Sequence, residues 1–273
     1  MEAPDFSKFL SLDIPEVSYL LHPTIPRQGL VMLYAATGVG KTHLSLSMAY
    51  AVAVGGEVLG WNAPVARKVL YVDGEMSGAD MKTRLRALSN TYGRAPGRGY
   101  FRIANPDIQD DYTMPDIGLE EGREAVDRQV LDADLVVLDN LSTLCRSLNE
   151  NDGSSAVGLI GWVMKLRASG KSVLLVHHAG KSGDQRGTTR KLDALNTVIK
   201  LTHPPDYHQS HGCRFLLDFE KSRGVYGHDV ASFEAAMTLT DRYIWEKSDV
   251  YEQKRATKEE NLLNALSQMI QGK

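Results

Sequence analysis

The sequence predicts an α/β fold in which a mostly parallel, doubly wound sheet is extended by antiparallel strands near the C-terminus. Three observations predict it. Short β-rich apolar runs alternate with longer segments whose apolar residues recur at three- and four-residue spacing, the pattern of parallel strands joined by helices. A glycine-rich turn, TGVGKT, links the first such run to the first such segment. From residue 195 onward the character changes, and apolar runs follow one another across turns.

The elements follow in order. Strands are predicted at 30–34, 68–73, 135–139 and 172–177, where apolar residues run without alternation because both faces of such a strand are covered. Helices are predicted at 41–54, 79–92, 119–131 and 154–168, each with an apolar stripe. Segments 195–201, 214–219 and 243–246 read as the antiparallel additions, and 254–268 as one charged amphipathic helix. The Pro- and Gly-rich stretches 91–99 and 105–115 read as loops. No internal repeat or two-domain boundary interrupts the pattern. The expected organisation is therefore a lead or interface segment at 1–28, one core at 29–250, and a helix or linker at 251–273.

Composition narrows the classes of function. The 273 residues carry 31 Lys+Arg against 34 Asp+Glu, a net charge of −3, which excludes a uniformly basic nucleic-acid coat but leaves cations enough for a local patch. Cys145 and Cys213 are too few for a disulfide scaffold or a four-cysteine zinc site. No run approaches 18 apolar residues, and the acidic N-terminus lacks a signal-peptide pattern, so a cytoplasmic protein without a membrane span is expected.

Chemistry concentrates at the carboxyl ends of the predicted strands. Ala35-Ala36-Thr37-Gly38-Val39-Gly40-Lys41-Thr42, with His43 next in the helix, has the form of a phosphate-binding loop. Its glycines let backbone N–H groups face phosphate oxygens, Lys41 bridges the β- and γ-phosphates, and Thr42 holds Mg²⁺. A bare G-K-[ST] arises by chance in about 15% of chains this long, and a second glycine two residues earlier lowers that to about 1%. The loop departs from the usual pattern at Ala35, which stands where a glycine is usual and fits if its φ is negative. Asp139 ends the run LVVLD and is the second expected Mg²⁺ contact. The residue after it is Asn140, which cannot act as a base, so the carboxylate that activates water must come from elsewhere. Glu75, just beyond the strand 68–73, is the candidate and Asp73 its rival.

Further cationic and imidazole groups surround this set. His177 and His178 end the fourth strand on opposite faces, and His178 suits a γ-phosphate sensor. The glycine-rich segment after them carries Lys181, Arg186 and Arg190, and Lys221-Ser222-Arg223-Gly224 follows another apolar strand. His203, His208, His211 and Cys213 lie close in sequence, yet their spacing matches no usual zinc pattern.

A P-loop paired with Glu75 after a neighbouring strand, Asp139, the pair His177-His178 and Arg186-Gly187-Thr188 together resemble the RecA-like ATPases, in particular the hexameric replicative helicases of plasmid RepA type, and Lys221-Ser222-Arg223-Gly224 resembles the K-x-R-x-G element of the DnaB-like helicases. The resemblance runs over nearly the whole chain. It implies ATP with Mg²⁺ as cofactors and phosphate binding by Lys41. Water activation falls by the same likeness to Glu75, metal coordination to Asp139 and γ-phosphate sensing to His178. Arg186, with Lys221 and Arg223 as second candidates, would act as arginine fingers toward a neighbouring subunit. It further implies a homo-oligomer, a hexameric ring acting on single-stranded DNA, with the segment around 146–153 and Lys181 as candidate DNA contacts. Two other readings of the same motifs stay open: a RecA- or RadA-like recombination or repair ATPase, and a nucleotide-switched oligomeric interaction module.

Overall fold

Apolar runs with no polar face can satisfy their backbone only inside a sheet covered on both sides, and the computed structural model places them there. It describes residues 2–14, 16–147, 153–179 and 194–249. The chain opens with a short helix α1 (Phe6–Leu10) and the hairpin β1 (Tyr19–Leu21) and β2 (Ile25–Pro26). Strand β3 (Leu30–Ala35) leads through the glycine turn into α2 (Lys41–Val54), and a small hairpin, β4 (Glu57–Val58) and β5 (Trp61–Asn62), follows. Next come β6 (Val69–Asp73), α3 (Gly78–Tyr92), β7 (Phe101–Ala104), α4 (Glu120–Val130) and β8 (Leu135–Asp139). The short α5 (Leu141–Leu144), α6 (Gly153–Ala168) and β9 (Ser172–His178) complete the crossovers. The remaining strands are β10 (Thr197–Thr202), β11 (Cys213–Ser222), β12 (Phe233–Leu239) and β13 (Tyr243–Asp249).

Nine of these strands form one sheet in the order β13-β12-β11-β10-β3-β9-β8-β6-β7. From β10 to β7 every pairing is parallel, and from β10 to β13 every pairing is antiparallel, the mostly parallel sheet with antiparallel C-terminal strands that the sequence predicts; segment 195–201, expected among the antiparallel additions, is instead β10, which runs parallel to β3 and turns antiparallel only toward β11. The helices cover both faces. Alternate residues of one strand join opposite cores: Val31 and Leu33 pack with Leu44, Met48 and Leu88 from α2 and α3, whereas Leu30 and Met32 pack with Val126, Trp162 and Leu166 from α4 and α6. Helix α2 is buried nearly all round because β13 reaches over it as well: Trp245 Nε1 donates to Ser47 Oγ at 3.1 Å. Among the described residues no helix is long and apolar enough to cross a membrane.

Two strands that periodicity did not predict, β7 and β12, belong to the sheet, and β13 runs three residues past the predicted 246. The predicted helix at 254–268 lies outside the described residues.

Candidate functional site

In a parallel sheet all strands end on the same edge, so β3, β6, β8 and β9 bring their C-terminal residues to one place. At the centre of that edge is the loop from Ala35 to Lys41. Ala35 is the last residue of β3 and is buried; the positive-φ non-glycine residues among those described are Gln28, Leu59 and Tyr112, so alanine meets no left-handed strain at position 35. The left-handed turns fall instead on Gly38 (φ 82°) and Gly40 (φ 122°). A side chain on Gly38 would point into open space, while one on Gly40 would meet Cys213 Sγ at 2.5 Å. The turn opens α2, whose first N–H groups have no helical partner and suit an anion.

Lys41 is buried at the mouth of this loop, its Nζ donating to the carbonyls of Ala35 (2.9 Å) and Ala36 (2.8 Å). Burial pulls its ammonium down to about 8, against the opposing pull of Asp139 and Glu75. Such a desolvated cation beside open N–H groups matches the charge of a polyphosphate. Thr42 Oγ1 lies 3.5 Å from Asp139 Oδ1, a hydroxyl–carboxylate pair of the type that holds Mg²⁺. Asp139 is fixed from behind: Ser45 Oγ donates to its Oδ2 at 3.0 Å, and the buried Tyr71 hydroxyl donates to the same oxygen. Burial raises the Asp139 pKa, and the bonds from Tyr71, Ser45 and Thr42 work against that rise. Neither Ser45 nor Tyr71 is conspicuous in sequence. Both sit on faces that read as core.

The two rival carboxylates part company here. Asp73 is buried, and its oxygens accept from the backbone N–H of Glu75 (3.3 Å) and Met76 (3.2 Å) and from Asn105 Nδ2 (2.7 Å). Glu75 is exposed at the sheet edge, and its Oε2 accepts from Asn140 Nδ2 at 2.6 Å. Asn140, unfit as a base, is therefore a partner of the base candidate, brought there because β6 and β8 are neighbours with Asp73 and Asp139 in register. His178 ends β9 opposite Ala35, and its Nδ1 lies 3.3 Å from Thr37 Oγ1 of the loop. Burial, helped by the Lys41 charge, keeps this imidazole below its usual pKa, favouring the neutral ring.

Other predicted residues fall elsewhere. The His43 side chain turns away from the loop to Tyr243, whose hydroxyl is 2.8 Å from Nδ1, and burial lowers its pKa to about 4. Lys221 and Arg223 lie at the far end of β11. Ser222 is level with Thr197 and so with Val31, four residues before Ala35, or about 13 Å down the strand from the phosphate loop. The histidines near 203–211 do not gather around Cys213: His203 stacks on Tyr207, His208 and His211 bond each other, and among the described residues no group of three His, Cys, Asp or Glu can hold a metal. Lys181, Arg186 and Arg190 lie outside the described residues, as do 148–152 of the predicted DNA-contacting segment. Arg146, at its start, donates to the carbonyl of Met114 at 2.8 Å.

Comparison with known proteins agrees with this fold. No curated protein matches the sequence. Among solved structures, the fold is similar to the flagellar accessory protein FlaH of Methanocaldococcus jannaschii, with a TM-score of 0.58 and 16% identity over 81% of this chain and 91% of that one. It is also similar to a KaiC-like protein of Pyrococcus horikoshii, with a TM-score of 0.53 and 14% identity over 83% of this chain and 93% of that one. The family described as AAA domain matches residues 2–184, well over half of the 273. With its P-loop on a RecA-like ATPase fold, the chain belongs to the AAA domain family.

Proposed function

We propose that the chain hydrolyses ATP as part of a ring, a hexamer of the RepA helicase type, and couples hydrolysis to movement along single-stranded DNA in the cytoplasm, in plasmid or phage replication. The observation that carries the assembly is the place of Lys221 and Arg223. About 13 Å of strand plus two inter-strand spacings separate their end of β11 from the phosphate loop of the same chain, farther than an arginine reaches. A nucleotide they touch belongs to another copy.

In this reading the loop N–H groups from Ala36 to Thr42 and the Lys41 ammonium hold the triphosphate, and Thr42 and Asp139 hold Mg²⁺. When bound, the metal neutralises phosphate charge. Glu75 takes the proton of the attacking water, oriented by Asn140, and His178 reads the γ-phosphate through Thr37. Lys221 and Arg223, with Arg186 by resemblance, stabilise charge in the neighbour's site; such fingers are worth ~10³–10⁵ in rate. The DNA partner rests on the resemblance, with Lys181 and Arg190 as its candidate cations.

The test is ATPase rate per chain against protein concentration, with and without single-stranded DNA. The expected result is a rate that rises with both and vanishes in Lys41→Ala. A rate that ignores concentration would overturn the assembly. A rate that rises with concentration but ignores DNA would replace the motor by a nucleotide-switched oligomer, and a helical assembly on DNA would favour a recombination ATPase.

A further inference from the structure

The turn that carries Glu75 is held from the edge of the sheet. Asn105, the residue after β7, is 2% exposed, and both hydrogens of its amide are used: Nδ2 donates to Asp73 Oδ2 (2.7 Å) and to the carbonyl of Met76 (2.7 Å). Asp73 in turn accepts from the N–H groups of Glu75 and Met76. Two residues beyond Asn105, Asp107 Oδ2 accepts from Gly78 N–H at 2.7 Å, so the segment 73–78 is bonded at both ends by one short stretch of chain. Asn105 also caps the single 3₁₀ turn Pro106–Ile108, but that cap uses only Oδ1, which accepts from Asp107 N–H at 3.0 Å. The two Nδ2 bonds are additional to it, and both are directed at the turn that holds Glu75.

We propose that Asn105, assisted by Asp107, is a positioning residue for hydrolysis: it fixes the backbone of the Glu75 turn, while Asn140 fixes the carboxylate. This rests on Glu75 as the group that activates water. Among the described residues neither Asn105 nor Asp107 is hydrogen-bonded to the phosphate loop, Thr42 or Asp139, so the effect expected of them is on turnover and not on nucleotide binding. Edge strand β7 thereby acts on the chemistry from beyond β6.

The experiment compares Asn105→Ala, Asp107→Ala, Glu75→Gln and the double variant Asn105→Ala/Glu75→Gln in the full chain, measuring kcat, KM and ATP affinity by equilibrium dialysis. A misplacement of the order of an ångström predicts a kcat about 10- to 100-fold lower in Asn105→Ala, with KM and ATP affinity within about twofold. Asp107→Ala, an exposed change, lowers kcat by about threefold or more and serves if Asn105→Ala fails to fold. In the Glu75→Gln background the Asn105 change has no further effect, because the two act as one unit. Loss that persists in that background, loss of ATP affinity in step with kcat, or full kcat in Asp107→Ala overturns the inference. Full activity in Glu75→Gln removes the reading of Glu75 itself, whereas an inactive Glu75→Gln beside a fully active Asn105→Ala removes only the positioning role.

Discussion

Two carboxylates separated by one glycine, Asp73 and Glu75, show how burial divides labour between like residues. Asp73 is surrounded by donors and raised to about 6 by burial, whereas Glu75 faces solvent with one amide partner. Glu75→Gln should leave thermal stability within about 0.5 kcal/mol, as exposed changes usually do, and lower turnover by ~10²–10⁴ as a lost general base. Asp73→Asn should do the reverse in stability. An amide presents two hydrogens where the carboxylate accepts from three donors, and a buried unmet donor costs about 1–3 kcal/mol, read as a lower thermal midpoint. The pH dependence separates them too. Asp73 takes its proton near 6 when folded and near 3.8 when unfolded, so between those values the folded state binds more protons and its contribution to stability falls as pH rises. Thermal midpoints from pH 4 to 6 should therefore drop by less in Asp73→Asn than in the parent, and identical slopes would contradict a carboxylate whose pKa is raised by burial.

At the scale of elements, the strand–turn–helix unit β3–α2 is the part on which nucleotide binding depends, and its two glycines are not equivalent. Both have positive φ, so alanine at either incurs roughly 1 kcal/mol of backbone strain. Only at Gly40 does the new methyl also strike a packed neighbour, Cys213 Sγ, against Phe215 of β11. Gly38→Ala should therefore fold nearly normally and bind nucleotide more weakly, while Gly40→Ala should lose several degrees of thermal stability as well; adding Cys213→Ala should return part of that loss but not the part due to φ. Equal midpoints for the two glycine variants would remove the steric half of the argument.

The same elements show what a sequence makes legible. Strands β3, β6, β8 and β9 were readable because burial on both faces leaves uninterrupted apolar runs. Strand β7, FRIA, was not: it is a sheet edge whose four residues are all half-buried and include an arginine. Strand β12, FEAAMTL, puts Phe233, Ala235 and Met237 into the core but has the charged Glu234 between them and ends exposed, and the hairpins at the N-terminal side have strands of only two or three residues. The site divides in the same way. Lys41, Thr42 and Asp139 announce themselves because the phosphate and metal binding proposed for them demands those residue types at a strand end. Asn140 on Glu75, 65 residues away, and Tyr71 on Asp139, 68 residues away, are matters of strand neighbourhood that no local pattern encodes. Asn105 left a trace, an Asn-Pro pair, but its local meaning is a turn, and a turn is also what it makes.

For the whole molecule, the opposed ends of the sheet set the question of assembly. The phosphate loop lies at one edge and Lys221-Ser222-Arg223 at the other, an arrangement suited to a head-to-tail contact between copies in which each chain gives one half of a site and receives the other. Complementation tests this directly. Lys41→Ala retains the cations of β11 but not the phosphate contact, and Arg223→Ala retains the phosphate contact but not the finger, so each alone should be nearly inactive. Mixed in equal amounts and allowed to assemble at random, an intact loop meets an intact finger at about a quarter of the contacts, and turnover should recover to about that fraction of the parent rate. Recovery should depend on total concentration and disappear on dilution. If both variants are inactive and their mixture is too, the two residues serve a single chain or no common site, and the far edge of β11 has to be explained by something other than a neighbour's nucleotide.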